Sequence, residues 1–280
     1  MMETTESLLE KVAVDTHGTT AVRVGDKTID FKAPFPRVPI LEAIEKHTGI
    51  DVSGMDEETL RTTARSLEIE VDDSMGVGKL IDEIFGSCCE HHYVQPTFII
   101  DYPKEMSPLT KIHREKPGLT ERFELLVNGK ELANAYSELN DPIDQLERFE
   151  DQLTLSEKGD DEAMFIDQDF VRALEYGMPP TSGIGIGIDR LVMLMTDNSS
   201  IQEVLFFPQM RPEVQGPTLT DEEEVVLNLL KKNHPVLLSE LKENAGLSNK
   251  KWDKAIKGLS AHKLAKVTKT DDGLFVHLSA

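Results

Sequence analysis

The dipeptide Asn128-Gly129 sits between two runs of alternating polarity, ERFELLV over 121–127 and KELANAYSEL over 130–139. Asn-Gly readily takes the positive φ values of a type I′ turn, whose twist matches that of the strands it joins. This stretch commits the chain to an antiparallel hairpin and any larger fold to a sheet built around it. PTFIIDYP (96–103) reads as a short buried strand, SGIGIGIDRLVMLMT (182–196) as a glycine-spaced strand entering an apolar helix, and QEVLFFP (202–208) as a final core strand.

Helical periodicity fills the intervals. Leu8, Leu9 and Val12 share a face over 3–14, and TAVRVGDKTIDF carries a second hairpin signal at Gly25-Asp26. VPILEAIEKHTG ends on Gly49, Asp56 is placed to cap a helix over 57–66, and GKLIDEIFGSCCE forms a third helix. Pro142 opens an amphipathic helix, and DEAMFIDQDFVRALEYG reads as another, ended by Gly177. Strands interleaved with helices around an antiparallel sheet give an α+β fold.

A charge break marks a second domain. The 280 residues carry a net charge of -21, yet the segment from Pro217 to Ala280 holds 10 Lys against 9 Asp and Glu. We therefore divide the chain at Gln215-Gly216-Pro217 into residues 1–215 and 216–280. The tail reads as three helices followed by a hairpin at Asp272-Gly273, the order of a winged helix-turn-helix. Its first helix opens on a Thr220/Glu223 capping box. Its third helix carries Lys250, Lys251, Lys254 and Lys257, suited either to phosphate or to a solvated face of a protein-contact module.

The strong acidity excludes a broad electrostatic grip on nucleic acid. The two adjacent cysteines, Cys88 and Cys89, cannot build a disulfide framework and fit a reducing compartment. No run approaches the ~20 apolar residues of a membrane span, and the start lacks a secretory signal, so a cytoplasmic location is expected. Cys88-Cys89-Glu90-His91-His92 matches no standard zinc spacing and reads as a helix end carrying polar residues.

The hairpin also carries chemistry. A two-residue turn pairs Leu126 with Glu131 and, without interruption, Glu124 with Ala133. Glu124 and Glu131 then share a face as a diagonal pair, about 7 Å apart at Cβ, and two such carboxylates call for a cation. Mg²⁺ accepts one or two carboxylates plus phosphate oxygens. Asn134, Tyr136 and Glu138 share a face with one another, but strict alternation puts them opposite Glu131. A β-bulge between Glu131 and Asn134 brings all of them into one cleft. The plainer alternative is a surface hairpin with ordinary glutamates. Gly183, Gly185 and Gly187 bare one face of the next strand for close approach, and Arg190 in the first helical turn beyond is poorly placed for the helix dipole but suited to an aromatic ring or a phosphate.

Together with QPTFIIDYPKEMSPLTKIHR, GDDEAMF and EVLFFPQMRPE, these segments resemble class II aminoacyl-tRNA synthetases, and most closely the bacterial lysyl-tRNA synthetase branch, over about residues 1–213. The resemblance implies a partial class II antiparallel sheet, with Glu124 and Glu131 holding Mg²⁺ on the substrate ATP, Arg190 on the nucleotide, and Asn134, Tyr136 and Glu138 lining the lysine pocket. It implies lysine–tRNA ligation, with ATP, L-lysine and tRNA(Lys) as partners of a homodimeric full-length enzyme. The family's anticodon-binding domain and its first and second motifs find no match, and Arg122-Phe123-Glu124 lies in the wrong element to be the second. The chain is thus expected to be a fragment inactive in isolation. The alternative is a non-catalytic tRNA- or protein-binding module, and the C-terminal extension is expected to contact tRNA or protein.

Overall fold

A computed structural model describes residues 1–157, 166–209, 219–270 and 273–278. The linker at 215–217, the GDDEAMF segment, Met210–Glu213 of the last motif and Asp272 of the tail hairpin lie outside the described residues. The chain divides into two compact units, 1–208 and 209–280.

The first unit begins with α1 (Met2–His17) and the hairpin β1 (Ala21–Val24)–β2 (Lys27–Asp30). Then follow β3 (Arg37–Pro39), α2 (Ile40–Thr48), α3 (Glu57–Ser66), α4 (Val77–Cys88), β4 (Thr97–Ile100), β5 (Arg122–Val127) and β6 (Lys130–Ser137). It continues through α5 (Pro142–Glu157), α6 (Gln168–Glu175), β7 (Ser182–Ile186) and α7 (Ile188–Thr196). The five-stranded sheet has the order β3-β4-β5-β6-β7. It is antiparallel except for β3, a three-residue edge strand parallel to β4 that carried no sequence signal. This is the expected α+β architecture.

Strand alternation divides the core in two. Ile99 and Leu126 face α2, α3 and α4, joining Ile40, Ile44, Leu60, Leu80 and Ile84. Phe98, Phe123, Leu125 and Val127 face the other way, toward α1, the β1–β2 hairpin and α7. Local signals act as expected at several ends. The Asp56 carboxylate accepts from the Thr59 N–H, and Gly49 closes α2 in the left-handed conformation. Asn128 and Gly129 both have positive φ, 54° and 70°.

Two expectations are corrected. The segment 202–208 is neither strand nor core. Ile201–Glu203 forms a 3₁₀ turn, and Phe206 and Phe207 are 94% and 95% exposed. Its apolar run reads like a strand, but a strand needs a partner edge, and among the described residues none is paired with it. The helix expected over 161–177 is described only as α6, starting at Gln168 behind an Asp167 cap.

The second unit comprises α8 (Asp221–Lys232), β8 (Val236–Leu237), α9 (Leu238–Ala245), α10 (Asn249–Ala261), β9 (Ala265–Thr270) and β10 (Gly273–Leu278). Val226, Leu230, Leu241, Trp252, Leu259 and Val276 form its own core. The capping box at Thr220 and Glu223 is present. The wing has three strands in the order β8-β10-β9, because residues 236–237, expected within a helix, add to its edge. Among the described residues no helix is long and apolar enough to cross a membrane.

Candidate functional site

The register of β5 against β6 sets the site. Val127 pairs with Lys130 and Leu126 with Glu131, as the turn demands. The register then shifts, so that Leu125 meets Ala133, Glu124 meets Asn134 and Arg122 meets Tyr136. Glu124 is therefore opposite Asn134, not Ala133. Leu132 is the extra residue of a bulge, and Leu132 and Ala133 are both buried where alternation would expose one of them. Glu131 and Asn134, three residues apart, consequently lie on one face. Asn134, Tyr136 and Glu138 continue it by alternation, beside Glu124 and Leu126 on the side covered by α2–α4.

Arg122 organises the middle of this face. Its guanidinium donates to Glu124 Oε1 (2.5 Å), Asn134 Oδ1 (3.3 Å), the Met106 carbonyl (2.7 Å) and Ser107 Oγ (3.1 Å). It lies 4.5 Å over the Tyr102 ring. Asn134 Nδ2 donates to the same Glu124 oxygen at 3.3 Å, so Oε2 is committed to neither donor. Arginine suits this position because its planar fork serves several acceptors at once.

Carboxylates crowd around Glu124. Burial pushes its pKa up; the Arg122 charge counters this, and the Glu131 charge adds to the rise. Asp82 on α4 is raised by the loss of surrounding water and by the Glu124 charge, although its side chain reaches solvent at the rim. Glu90, held by the Glu131 backbone N–H, is raised by burial and then by Glu124, with Asp82 contributing and Arg190 opposing. Tyr102 is 1% exposed, and its pKa is raised first by burial and then by the Glu124 charge, with the Arg122 charge opposing. Anionic groups outnumber the cations that face them, an arrangement suited to a divalent ion with bound phosphate. Among the described residues no group of three side chains is placed to hold a metal by itself. That includes the Cys88–His92 run, where both thiols are free, His92 stacks on His47 and the His91 ring meets His92 at a tilt.

At the far end, Glu138 faces the bared strand. A Cβ on Gly183 would lie 2.3 Å from Glu138 Oε1, so the carboxylate rests where a side chain would stand. Gly185 has only the Asn134 carbonyl near its absent Cβ, at 4.0 Å, leaving open space. Partial burial raises the Glu138 pKa, and among the described residues its carboxylate has no cation or donor paired with it. Tyr136 is raised by burial and by the Glu138 charge. In a G183A variant the clash is with the end of a flexible side chain, so the sheet is expected to form normally while Glu138 swings off the strand. Stability should stay within about 1 kcal/mol of the parent, and a ligand held by Glu138 should bind about tenfold more weakly by calorimetry. Equal affinity would detach Glu138 from the site.

Arg190 is exposed on the first turn of α7, and its Nη1 donates to the Glu131 carbonyl at 2.5 Å. Arg190 and Glu131 line a cavity of about 340 Å³ together with Val24, Lys27, Asn128 and Met193. Glu124, Asn134, Tyr136 and Glu138 are not part of its wall, so this cavity flanks the acidic face rather than containing it. The six residues singled out from sequence thus fall along one face and its β7–α7 end. Sequence reasoning missed Asp82, Glu90, Tyr102 and the role of Arg122. For Arg122 a signal existed, since alternation puts it on the same face as Glu124; the others come from distant elements.

Residues 1–211 match the family model described as tRNA synthetases class II (D, K and N). The chain is 61% identical over 279 residues to a lysine–tRNA ligase of Christiangramia forsetii, covering 100% of this chain and 49% of that protein. It is 67% identical over 237 residues to a lysine–tRNA ligase of Porphyromonas gingivalis, covering 85% and 41%. It is 65% identical over 213 residues to one of Azobacteroides pseudotrichonymphae, covering 76% and 43%. The chain therefore spans less than half the length of each of these relatives.

Proposed function

The chain belongs to the class II tRNA synthetases of the D, K and N group, and from that premise we propose that it carries the amino-acid and nucleotide face of an ATP-dependent lysine–tRNA ligase. The observation that carries the reading is Glu138, a partly buried carboxylate with a raised pKa, laid over Gly183 and paired with no cation among the described residues. A lysine side chain is long enough to bring its ammonium to Glu138, beside Tyr136, with its own carboxylate toward Asn134 and the acidic centre. That the relatives are lysine–tRNA ligases supports this choice of amino acid.

The lysine carboxylate would attack the α-phosphorus of ATP, forming a mixed anhydride and releasing pyrophosphate. A hydroxyl at the tRNA terminus would then take the lysyl group and release AMP. Glu124 and Glu131 would hold Mg²⁺, which supplies charge neutralisation at the phosphate oxygens. Arg122 keeps Glu124 fixed and ionised against its burial, and Asn134 is locked between both. Arg190, tied to the Glu131 carbonyl, presents a flat cation to the nucleotide. The contribution of these residues is positioning and preorganised charge.

The test uses Mn²⁺ as a paramagnetic substitute. Titration of the chain with Mn²⁺ and ATP, followed by electron paramagnetic resonance, is expected to show ATP-dependent immobilisation of the ion. E131Q should weaken this at least tenfold with the fold intact. Mn²⁺–ATP retention unaffected by both E124Q and E131Q would remove these carboxylates from the nucleotide site.

A further inference from the structure

The second unit segregates its charge. Over residues 219–246 there are three lysines and six acidic residues, whereas over 248–270 there are seven lysines and one aspartate. The basic half is the third helix and the first long strand of the wing. Within α10 the buried residues are Trp252, Ala255 and Leu259. At 100° per residue, Lys250, Lys254 and Lys257 fall within an arc of about 60°, diametrically opposite that buried trio. All three are exposed, and among the described residues none forms an ion pair. Lys251, expected to join them, lies to the side and is paired with Glu222 on α8 at 2.7 Å.

Two of the three helix starts in this unit, those of α8 and α10, differ in a way that folding alone does not explain. α8 opens with four consecutive acidic residues and a side-chain capping box, which complement its dipole. α10 opens with Asn249, Lys250 and Lys251, has no acidic residue in its first turn, and receives no side-chain cap from Ser248. Cations at that end oppose the helix dipole, and a bound anion would reverse the penalty. α10 is the third helix ahead of the wing, the place of the nucleic-acid-contacting helix in the winged helix-turn-helix order.

We propose that the Lys250–Lys254–Lys257 face of α10 binds the phosphate backbone of a double-helical RNA stem. The inference rests on the ligase reading only in taking RNA as the duplex. Charge complementarity selects the occupant, since the lysines match backbone phosphates.

The test is fluorescence anisotropy of the full chain with a labelled tRNA transcript and with an RNA hairpin of about two helical turns, without lysine or ATP. K250E/K254E/K257E is expected to bind both RNAs more than about 100-fold more weakly at about 50 mM salt. Losing three phosphate contacts lowers the log–log salt slope by about 2.7. The parent should therefore lose roughly 40-fold more affinity than the variant between 50 and 200 mM salt. K250Q/K254Q/K257Q, with the helical circular dichroism of the parent, should fall between the two. Absence of RNA binding at 50 mM salt, an unchanged salt slope in the charge-reversed variant, or tighter binding to a DNA duplex of equal length would overturn the proposal. Because lysine and ATP are absent, RNA binding can succeed where the ligase reading fails, and the reverse.

Discussion

E138Q is expected to lose L-lysine binding by roughly 30- to 150-fold, the 2–3 kcal/mol of a charge-assisted contact, with no loss of stability at neutral pH. The Glu138 pKa is raised in the folded chain because the carboxyl is partly withdrawn from water. A group with a raised folded pKa favours the fold below its unfolded value, and that contribution disappears as pH rises through the folded value. Ionised Glu138 is therefore a small burden at neutral pH, and glutamine removes it. Thermal melts should place E138Q level with or above the parent near pH 8, with the difference closing toward pH 4. The same sign governs the proposed lysine binding, in which the ammonium would meet the ionised carboxylate. Lysine affinity should fall as pH drops through the raised pKa. Norleucine, which keeps the stem but lacks the ammonium, should bind the parent no better than the variant. Calorimetric titration of both ligands checks each statement, and lysine affinity indifferent to E138Q would end the assignment.

The fold was largely legible because its signals are local. Asn128-Gly129 dictates a hairpin through backbone sterics, Asp56 and Thr220 cap helices through hydrogen bonds spanning three residues, and α2–α4 show their apolar faces in their periodicity. The elements that were missed are short. β3 and β8 have three and two residues, and each is a strand only because a neighbouring edge accepts it. The segment 202–208 fails in the opposite sense, since it has strand composition but no partner edge among the described residues.

The site divides along the same line. Glu124, Glu131, Asn134, Tyr136 and Glu138 lie on one hairpin, and arithmetic on a period of two required the bulge that Leu132 supplies. The exact cross-strand partner of Glu124 was out by one, because the bulge lies before rather than after that pair. Asp82 on α4, Glu90 beyond it and Tyr102 after β4 reach Glu124 through tertiary packing, for which a sequence holds no spacing rule. Arg122 was legible but was weighed only as part of a motif. Considered as a motif it belonged to the wrong element, whereas considered as a side chain two residues from Glu124 it belonged on the same face.

R122A is expected to destabilise the first unit by about 3–5 kcal/mol, the cost of removing one partner from a largely buried ion pair. The two side chains are only 15% and 17% exposed, and their contact is 2.5 Å. Deleting the guanidinium leaves buried Glu124 facing the Glu131 and Asp82 carboxylates without the charge that offsets them. It also releases the Met106 carbonyl, Ser107 and Asn134, so the loop before β5 and the amino-acid end of the face loosen together. E124Q should be milder, because Arg122 keeps its other acceptors and its seat over Tyr102. R122K should lie between them, since an ammonium keeps the charge but cannot serve four acceptors in one plane. The chain contains a single tryptophan, Trp252, in the second unit. Urea unfolding can therefore be followed by far-ultraviolet circular dichroism for the whole and by Trp252 fluorescence for the tail. In R122A the main dichroism transition should move to lower urea while the Trp252 transition stays in place. In the R122A/E124A double variant the loss should be smaller than the sum of the single losses by at least 1 kcal/mol. Additive losses would show that Arg122 stabilises the unit without holding Glu124, and the role assigned to it in the site would fall.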